Sequence, residues 1–446
     1  MTAIHRVSNK GCTTETKRPA VVTRREFLSL LGIGGAVTVL PSALTRSPAE
    51  ARPVKPVVRR ATVGGTTVPV AQGRAVAGPR ALVVIELQGG NDGFSMLVPS
   101  GDGRFRQLRD HVWLNPKDML RIDDRYSMAA GLAPVASQLA FVEGVGVANP
   151  DFSHSAMLTR WWHGDPDGAG NIYTGFLGRC CDHFNGTAAI IGASIGGGST
   201  PALNSVQAAT VALPDLDSLH ALTKDDDARM RPTFSALTDG GDDVGGLETA
   251  DPGLMAASRA GLSAGLNLVG GLGGLSGKSA GYPQNSRLGS SLSLVGELLG
   301  LNTGIRVFHV PWGSFDTHTG QAWSHPDQMR QLGAALSAFR SDLTRRGLAD
   351  RVLVATTSEF GRRPGANASG TDHGAASTAL LLGPVRPGRH GAPVDFNQLD
   401  RTGNVAATVS MSDYYASLAQ WLGIPPAEVL GGSGSPLASL AIAAGR

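Results

Sequence analysis

The sequence predicts a doubly wound α/β fold, a mainly parallel sheet with helices on both faces. Two observations carry that expectation. Four runs, Ala81 to Leu87, Ala140 to Val147, Ile305 to Pro311 and Arg351 to Thr357, are apolar and β-branched with little polar alternation, the pattern of strands buried on both faces. Each run ends abruptly in a loop of Gly, Asn, Asp, Ser or His, and helical spacing follows, which is the alternation of βαβ units. The size and composition fit such a domain: 446 residues, 41% hydrophobic and 17% charged, exclude a disordered polyelectrolyte, a coiled coil and a polytopic membrane protein. The 60 glycines and 26 prolines predict many or long loops.

Read in order, the chain opens on a targeting segment. Arg24 and Arg25 directly precede the apolar, Gly-rich run Leu28 to Leu40, which is the pattern of a twin-arginine export signal. The run is shorter than the ~20 apolar residues a spanning helix needs, and Ala49-Glu50-Ala51 supplies a small-x-small cleavage site. Residues 1–51 are thus expected to be a signal peptide and 52–79 a Pro-rich linker. Residues 80–446 form the α/β domain, with a Gly-rich insertion near 240–281. The expected location is outside the cytoplasmic membrane, in the periplasm, the envelope or the medium, with the twin-arginine translocase as a transient partner.

The first strand, Ala81 to Leu87, is interrupted only by Glu86 and stops at Gln88-Gly89-Gly90-Asn91-Asp92-Gly93. The second leads through Asn149-Pro150-Asp151-Phe152-Ser153-His154 into a helix reaching Trp161. A helix over Leu292 to Leu301 precedes the third strand, which ends in Gly313-Ser314-Phe315-Asp316-Thr317-His318. Met329, Leu332, Leu336, Phe339 and Leu343 then mark an amphipathic helix. The fourth strand runs into Ser358-Glu359-Phe360-Gly361-Arg362, and a last helix, Asp413 to Leu422, is closed by Gly423.

Charge and cysteine usage narrow the function classes. Seven basic and three acidic residues fall in the first 51, leaving the remainder with one more acid than base, so no general electrostatic case for nucleic acid or anionic lipid exists. Cleavage removes Cys12 and leaves only the neighbours Cys180 and Cys181, which read as small apolar helix residues rather than a disulfide framework.

In doubly wound sheets ligands bind beyond the carboxyl ends of the strands. The polar residues collected there, Asp92, Ser153, His154, Asp316, His318, Glu359, Asp372 and His373, come from separate parts of the chain. Each has a plain structural reading when taken alone: a turn, a helix cap, a surface histidine, an ion-pair partner. Together, mixed carboxylate and imidazole is a metal-ligand inventory suited to Zn, Mn or Fe(II). Gly365 to Gly370 should let the backbone around Thr371-Asp372-His373-Gly374 approach a ligand closely.

The twin-arginine signal, Gln88 to Gly93, Phe315-Asp316-Thr317-His318 with Gln321, Ser358 to Arg362 and Gly370 to Gly374 resemble, in that order, the exported family called domain of unknown function 1501. That family in turn resembles the alkaline phosphatase and sulfatase superfamily, whose doubly wound sheet carries metals at its strand ends. The resemblance implies Asp92 as an early ligand, Asp316 with His318 as a later pair and His373 as the last ligand, with Glu359 and Asp372 beside them. Glu359-Phe360 stands where the superfamily has an Asp-His pair, so one metal would lose a nitrogen ligand. No cysteine begins a Cys-x-Pro-x-Arg sequence, which excludes the formylglycine route.

The implied activity is attack by metal-activated hydroxide or Ser153 on a phosphate or sulfate ester, small or polymeric, with His154 at the reacting centre and Arg362 or Arg363 on the ester oxygens. A rival expectation is a non-catalytic envelope protein with a degenerate metal site, which would engage a partner protein through the Pro-rich arm and Gly-rich insertion. A metal-free polysaccharide-binding module is disfavoured by an aromatic content of 5%.

Overall fold

The structure is a computed structural model that describes residues 79–168, 170, 173–214, 281–432 and 434–442. The expected signal peptide, residues 52–78 of the expected linker and residues 240–280 of the expected insertion lie outside the described residues.

Strand β1 (Ala81–Leu87) leads to the one-turn helix α1 (Gly93–Met96), β2 (Leu97–Val98), α2 (Gly103–Leu108), β3 (Met119–Arg121), β4 (Ser127–Ala129) and β5 (Leu139–Gly146). Then come α3 (His154–His163), α4 (Phe176–His183), β6 (Gly192–Ile195) and β7 (Thr210–Leu213). The rest comprises α5 (Arg287–Gly300), β8 (Val307–Trp312), α6 (Gln321–Arg345), β9 (Val352–Thr357), β10 (Gly361–Asn367), β11 (Gly370–Gly374), β12 (Ala376–Leu382), β13 (Gly388–Gly391), β14 (Val409–Ser410), α7 (Met411–Leu422) and α8 (Pro426–Leu430).

The main sheet has nine strands in the order β13-β5-β12-β9-β1-β8-β6-β7, with β14 paired to β5. Only β12 runs against the others, antiparallel to both β5 and β9. Side chains of β1 alternate between two cores. Val83, Ile85 and Leu87 pack with Leu292, Leu336 and Phe339 of α5 and α6. Leu82 and Val84 pack on the other face with Trp161, Phe176 and Trp421 of α3, α4 and α7. Burial on both faces is why the strand reads as an apolar run broken only at Glu86.

Element boundaries depart from the sequence expectation where caps decide them. Helix α5 begins before Leu292, because Ser286 Oγ accepts from Gly289 N. Likewise Ser410 accepts from Asp413 N and starts α7 at Met411, while Gly423 closes it in the left-handed region at φ 83°. Pro311 is tolerated inside β8 because β6 pairs with that strand only as far as His309. Cys180 and Cys181 are buried, free thiols on α4, as expected of small apolar helix residues.

Candidate metal centre

Five chain segments meet at one edge of the sheet. The parallel strands β1, β5, β8 and β9 end there, and the reversed strand β12 begins there, preceded by the β10–β11 hairpin. Glycines permit the approach. At Gly89, φ is +113°, and a Cβ would collide with the backbone of Phe315 and Asp316. A Cβ on Gly370 would collide with the carbonyls of Thr317 and His318, so the hairpin can press against the loop after β8 only with glycine at that position.

The Asp316 carboxylate is the centre of the cluster. Its Oδ1 lies 3.1 Å from His318 Nε2 and 3.3 Å from His373 Nε2, and Oδ2 lies 3.6 Å from His154 Nε2. His318 Nε2 and His373 Nε2 are 3.0 Å apart. His154, Asp316 and His373 each offer one ligand atom, all within 4.8 Å of one another. Donor atoms bound to one ion at about 2.0–2.2 Å stand roughly 3.0–3.5 Å apart; the spacings among Asp316, His318 and His373 fall in that range, and His154 lies slightly beyond it at 3.6 Å. The side chains of Asp316, His154 and His318 are about half-exposed, leaving the cluster open to solvent.

The hydrogen-bond partners test whether a cation fits. His154 Nδ1 faces Glu359 Oε1 at 2.8 Å, His318 Nδ1 faces Asp372 Oδ1 at 3.3 Å, and His373 Nδ1 faces the Phe152 carbonyl at 2.8 Å. Those oxygens only accept, so in the neutral rings the proton sits on Nδ1 and the Nε2 lone pairs turn inward. The lone pairs of His318 and His373 then face Asp316 Oδ1, which accepts from Arg362, with no proton between ring and carboxylate, an arrangement complementary to a divalent cation. Burial pushes the His373 imidazole below its ordinary value, against the pull of Phe152 O and Asp316, which disfavours an imidazolium as the substitute. Burial alone would raise the Asp316 carboxyl, but the Arg362 guanidinium, which donates to it, holds it below the ordinary carboxylate range.

Not every expected site residue joins this ring. Asp92 is fully buried and caps α1. Its oxygens accept from Arg109, Ser95, Gln321 and the Phe94 amide, and Arg109 outweighs the burial penalty to lower its pKa to about 2. The expected ligand role is therefore replaced by a scaffold role. Gln321 relays it, since its Oε1 accepts from Thr317 Oγ1 at 3.0 Å and Thr371 Oγ1 at 2.6 Å, tying together both ligand-bearing loops.

Arg362 likewise does not reach the substrate side, as its side chain is fully buried. It donates to the carbonyls of Gly89, Gly90, Phe315 and Thr371 and to Asp316 Oδ1 at 2.6 Å. Ser153 is exposed at the start of α3 and makes no side-chain cap bond. It lies between Phe152, whose carbonyl holds His373, and the donor His154. Phe360 packs beside the cluster, with its ring stacked 4.1 Å from His373 and tilted 4.9 Å from His154. Sequence reasoning missed Arg109, whose partner Asp92 is 17 positions away with no motif linking them.

A buried histidine beneath the centre makes folding pH-dependent. His325 Nε2 lies 3.2 Å from Asn91 Oδ1, and burial lowers its pKa to about 4. An unfolded histidine titrates near 6.5. Between those values the unfolded chain binds a proton that the folded chain refuses, so stability declines as pH falls through this window. The loss from this one group is about 3 kcal/mol. Urea unfolding of metal-free protein at pH 7 and pH 4.5 should show that decline, and His325→Gln should flatten it.

The fold and the cluster define a layered α/β protein with a candidate divalent-metal centre at the carboxyl edge of its sheet. Residues 296–438 match the family described as "Protein of unknown function (DUF1501)". The matched segment carries Asp316, His318, Glu359, Asp372 and His373. Among solved structures, the chain is similar to a protein in the alkaline phosphatase superfamily from Vibrio parahaemolyticus, at 11% identity and TM-score 0.37, covering 79% of this chain and 69% of that one. It is similar to the PsFucS1 sulfatase from Pseudoalteromonas sp. at 11% identity and TM-score 0.33, over 79% and 68%. It is also similar to the C-terminal periplasmic domain of EcEptC from Escherichia coli, in complex with Zn, at 9% identity and TM-score 0.33, over 79% and 85%. No curated protein sequence matches the chain.

Proposed function

We propose that this chain is an exported, metal-dependent hydrolase of phosphate or sulfate esters. The observation that carries the reading is the convergence of His154, His318 and His373 on the Asp316 carboxylate, an N/O donor set without thiolate that suits Zn, Mn or Fe(II). With Phe360 in place of a further imidazole, the donors suffice for one ion. Such an ion, when bound, lowers the pKa of an attacking oxygen and screens the charge that develops on the ester.

The chain's own residues supply the rest. Arg363 is partly exposed at the rim, and its Nε donates to the His373 carbonyl. Its partly exposed guanidinium is placed to hold non-bridging ester oxygens, the role Arg362 cannot take. Ser153, exposed beside His154, is the nucleophile in this proposal. Export rests on the Arg24-Arg25 motif. Among the described residues no helix is long and apolar enough to cross a membrane.

The test is turnover of aryl phosphate and aryl sulfate esters by the metal-reconstituted protein. Hydrolysis of either that is lost in Ser153→Ala supports both the activity and the nucleophile. Hydrolysis retained in Ser153→Ala assigns the attack to water. Metal uptake with no turnover of either ester contradicts the enzyme and is what a non-catalytic envelope protein would show.

A further inference from the structure

We propose that Glu359 and Asp372 are positioning residues rather than ligands, each holding one histidine in the Nδ1–H tautomer so that its Nε2 lone pair faces the ion. The inference rests on the metal-centre reading above and assigns roles within it.

A neutral imidazole carries one N–H, and an ionised carboxylate can only accept. Glu359 Oε1 at 2.8 Å from His154 Nδ1 therefore fixes the proton on that nitrogen, and Asp372 Oδ1 at 3.3 Å from His318 Nδ1 does the same. The third histidine, His373, is held by a backbone carbonyl, that of Phe152. Three acceptors from three segments thus impose one tautomer on three rings.

The carboxylates have other commitments as well. Glu359 is buried, its Oε1 also accepts from Gly89 N at 2.8 Å, and its Oε2 lies 3.3 Å from Ser358 Oγ. Asp372 Oδ1 accepts from Asn367 Nδ2 at 2.6 Å, and Oδ2 lies 3.7 Å from Arg363 Nη1. The two supports are unequal. Glu359 is locked by backbone and burial, whereas Asp372 is half-exposed and shared between three partners, so His154 is the more rigidly aimed ring.

Outer-shell partners of this kind are worth about 10–100-fold in metal affinity. Two readouts separate positioning from ligation: imidazole 15N shifts of the metal-free protein, which report the tautomer, and Zn2+ affinity by chelator competition. Glu359→Leu should lose about 10–100-fold in Zn2+ affinity and the Nδ1–H signature of His154. Glu359→Gln, which keeps an acceptor oxygen, should stay within roughly tenfold of the parent and keep the signature. Asp372→Ala, at a half-exposed position, should mix the His318 tautomers and weaken Zn2+ binding less than Glu359→Leu does.

An unchanged tautomer and affinity in both Glu359→Leu and Asp372→Ala would overturn the proposal. So would a Glu359→Gln variant as impaired as Glu359→Leu, the behaviour of a direct ligand. A parent protein that takes up no Zn2+ contradicts the metal-centre reading instead, and the 15N shifts of the metal-free variants still decide the positioning roles.

Discussion

Replacing Arg109 by alanine is expected to cost about 3–5 kcal/mol of folding stability, because it strands a fully buried carboxylate without its counter-charge. Arg109 engages both oxygens of Asp92. It also donates to the carbonyls of Arg363 and Pro364, binding β10 to the start of the domain. The damage should reach the metal centre, since Asp92 holds Gln321, and Gln321 holds Thr317 and Thr371 beside the donors Asp316, His318 and His373. Urea denaturation gives the stability, and metal affinity of the folded fraction should fall in the same variant. A loss below about 1 kcal/mol, the range of an exposed pair, would contradict the scaffold role given to Asp92.

Replacing Asp316 by alanine should abolish ester turnover and also cost stability, because it removes the carboxylate that partners the buried Arg362, so the variant's folding is checked by urea denaturation. It is the one group to which all three histidines are referred. Losing an ion that supplies several kcal/mol of transition-state stabilisation corresponds to a fall in kcat/KM of roughly a thousandfold or more. Asp316→Asn keeps the shape and removes the charge, and it should be nearly as inactive. Parent-like rates in either variant would separate the chemistry from this cluster.

Much of the fold was legible because it is written locally. The apolar runs of β1, β5, β8 and β9 announce two-sided burial, and the rule that ligands gather at carboxyl ends directs attention to the loops after them. His154, Asp316, His318 and His373 all come from those loops, and their meeting follows from topology. What the sequence could not display was depth. Asp92 and Arg362 are as polar as Asp316 and Arg363, yet the first pair is wholly buried and the second partly open. That difference is set by partners such as Gln321, which lies 229 positions from Asp92. The reversal of β12 was equally hidden, since an apolar strand carries no sign of direction. Glu359 and Asp372 were legible as site carboxylates, but which ring nitrogen each one faces depends on side-chain geometry that no motif specifies.

The central claim is that His154, Asp316, His318 and His373 form a metal centre, and metal content tests it most directly. Purified protein should carry about one equivalent of Zn, Mn or Fe, and a folded variant with Asp316→Asn and His318→Ala, which keeps an acceptor oxygen for Arg362, should carry none. Absence of bound metal from the parent, even after reconstitution with each ion, or equal metal in parent and variant, would contradict it.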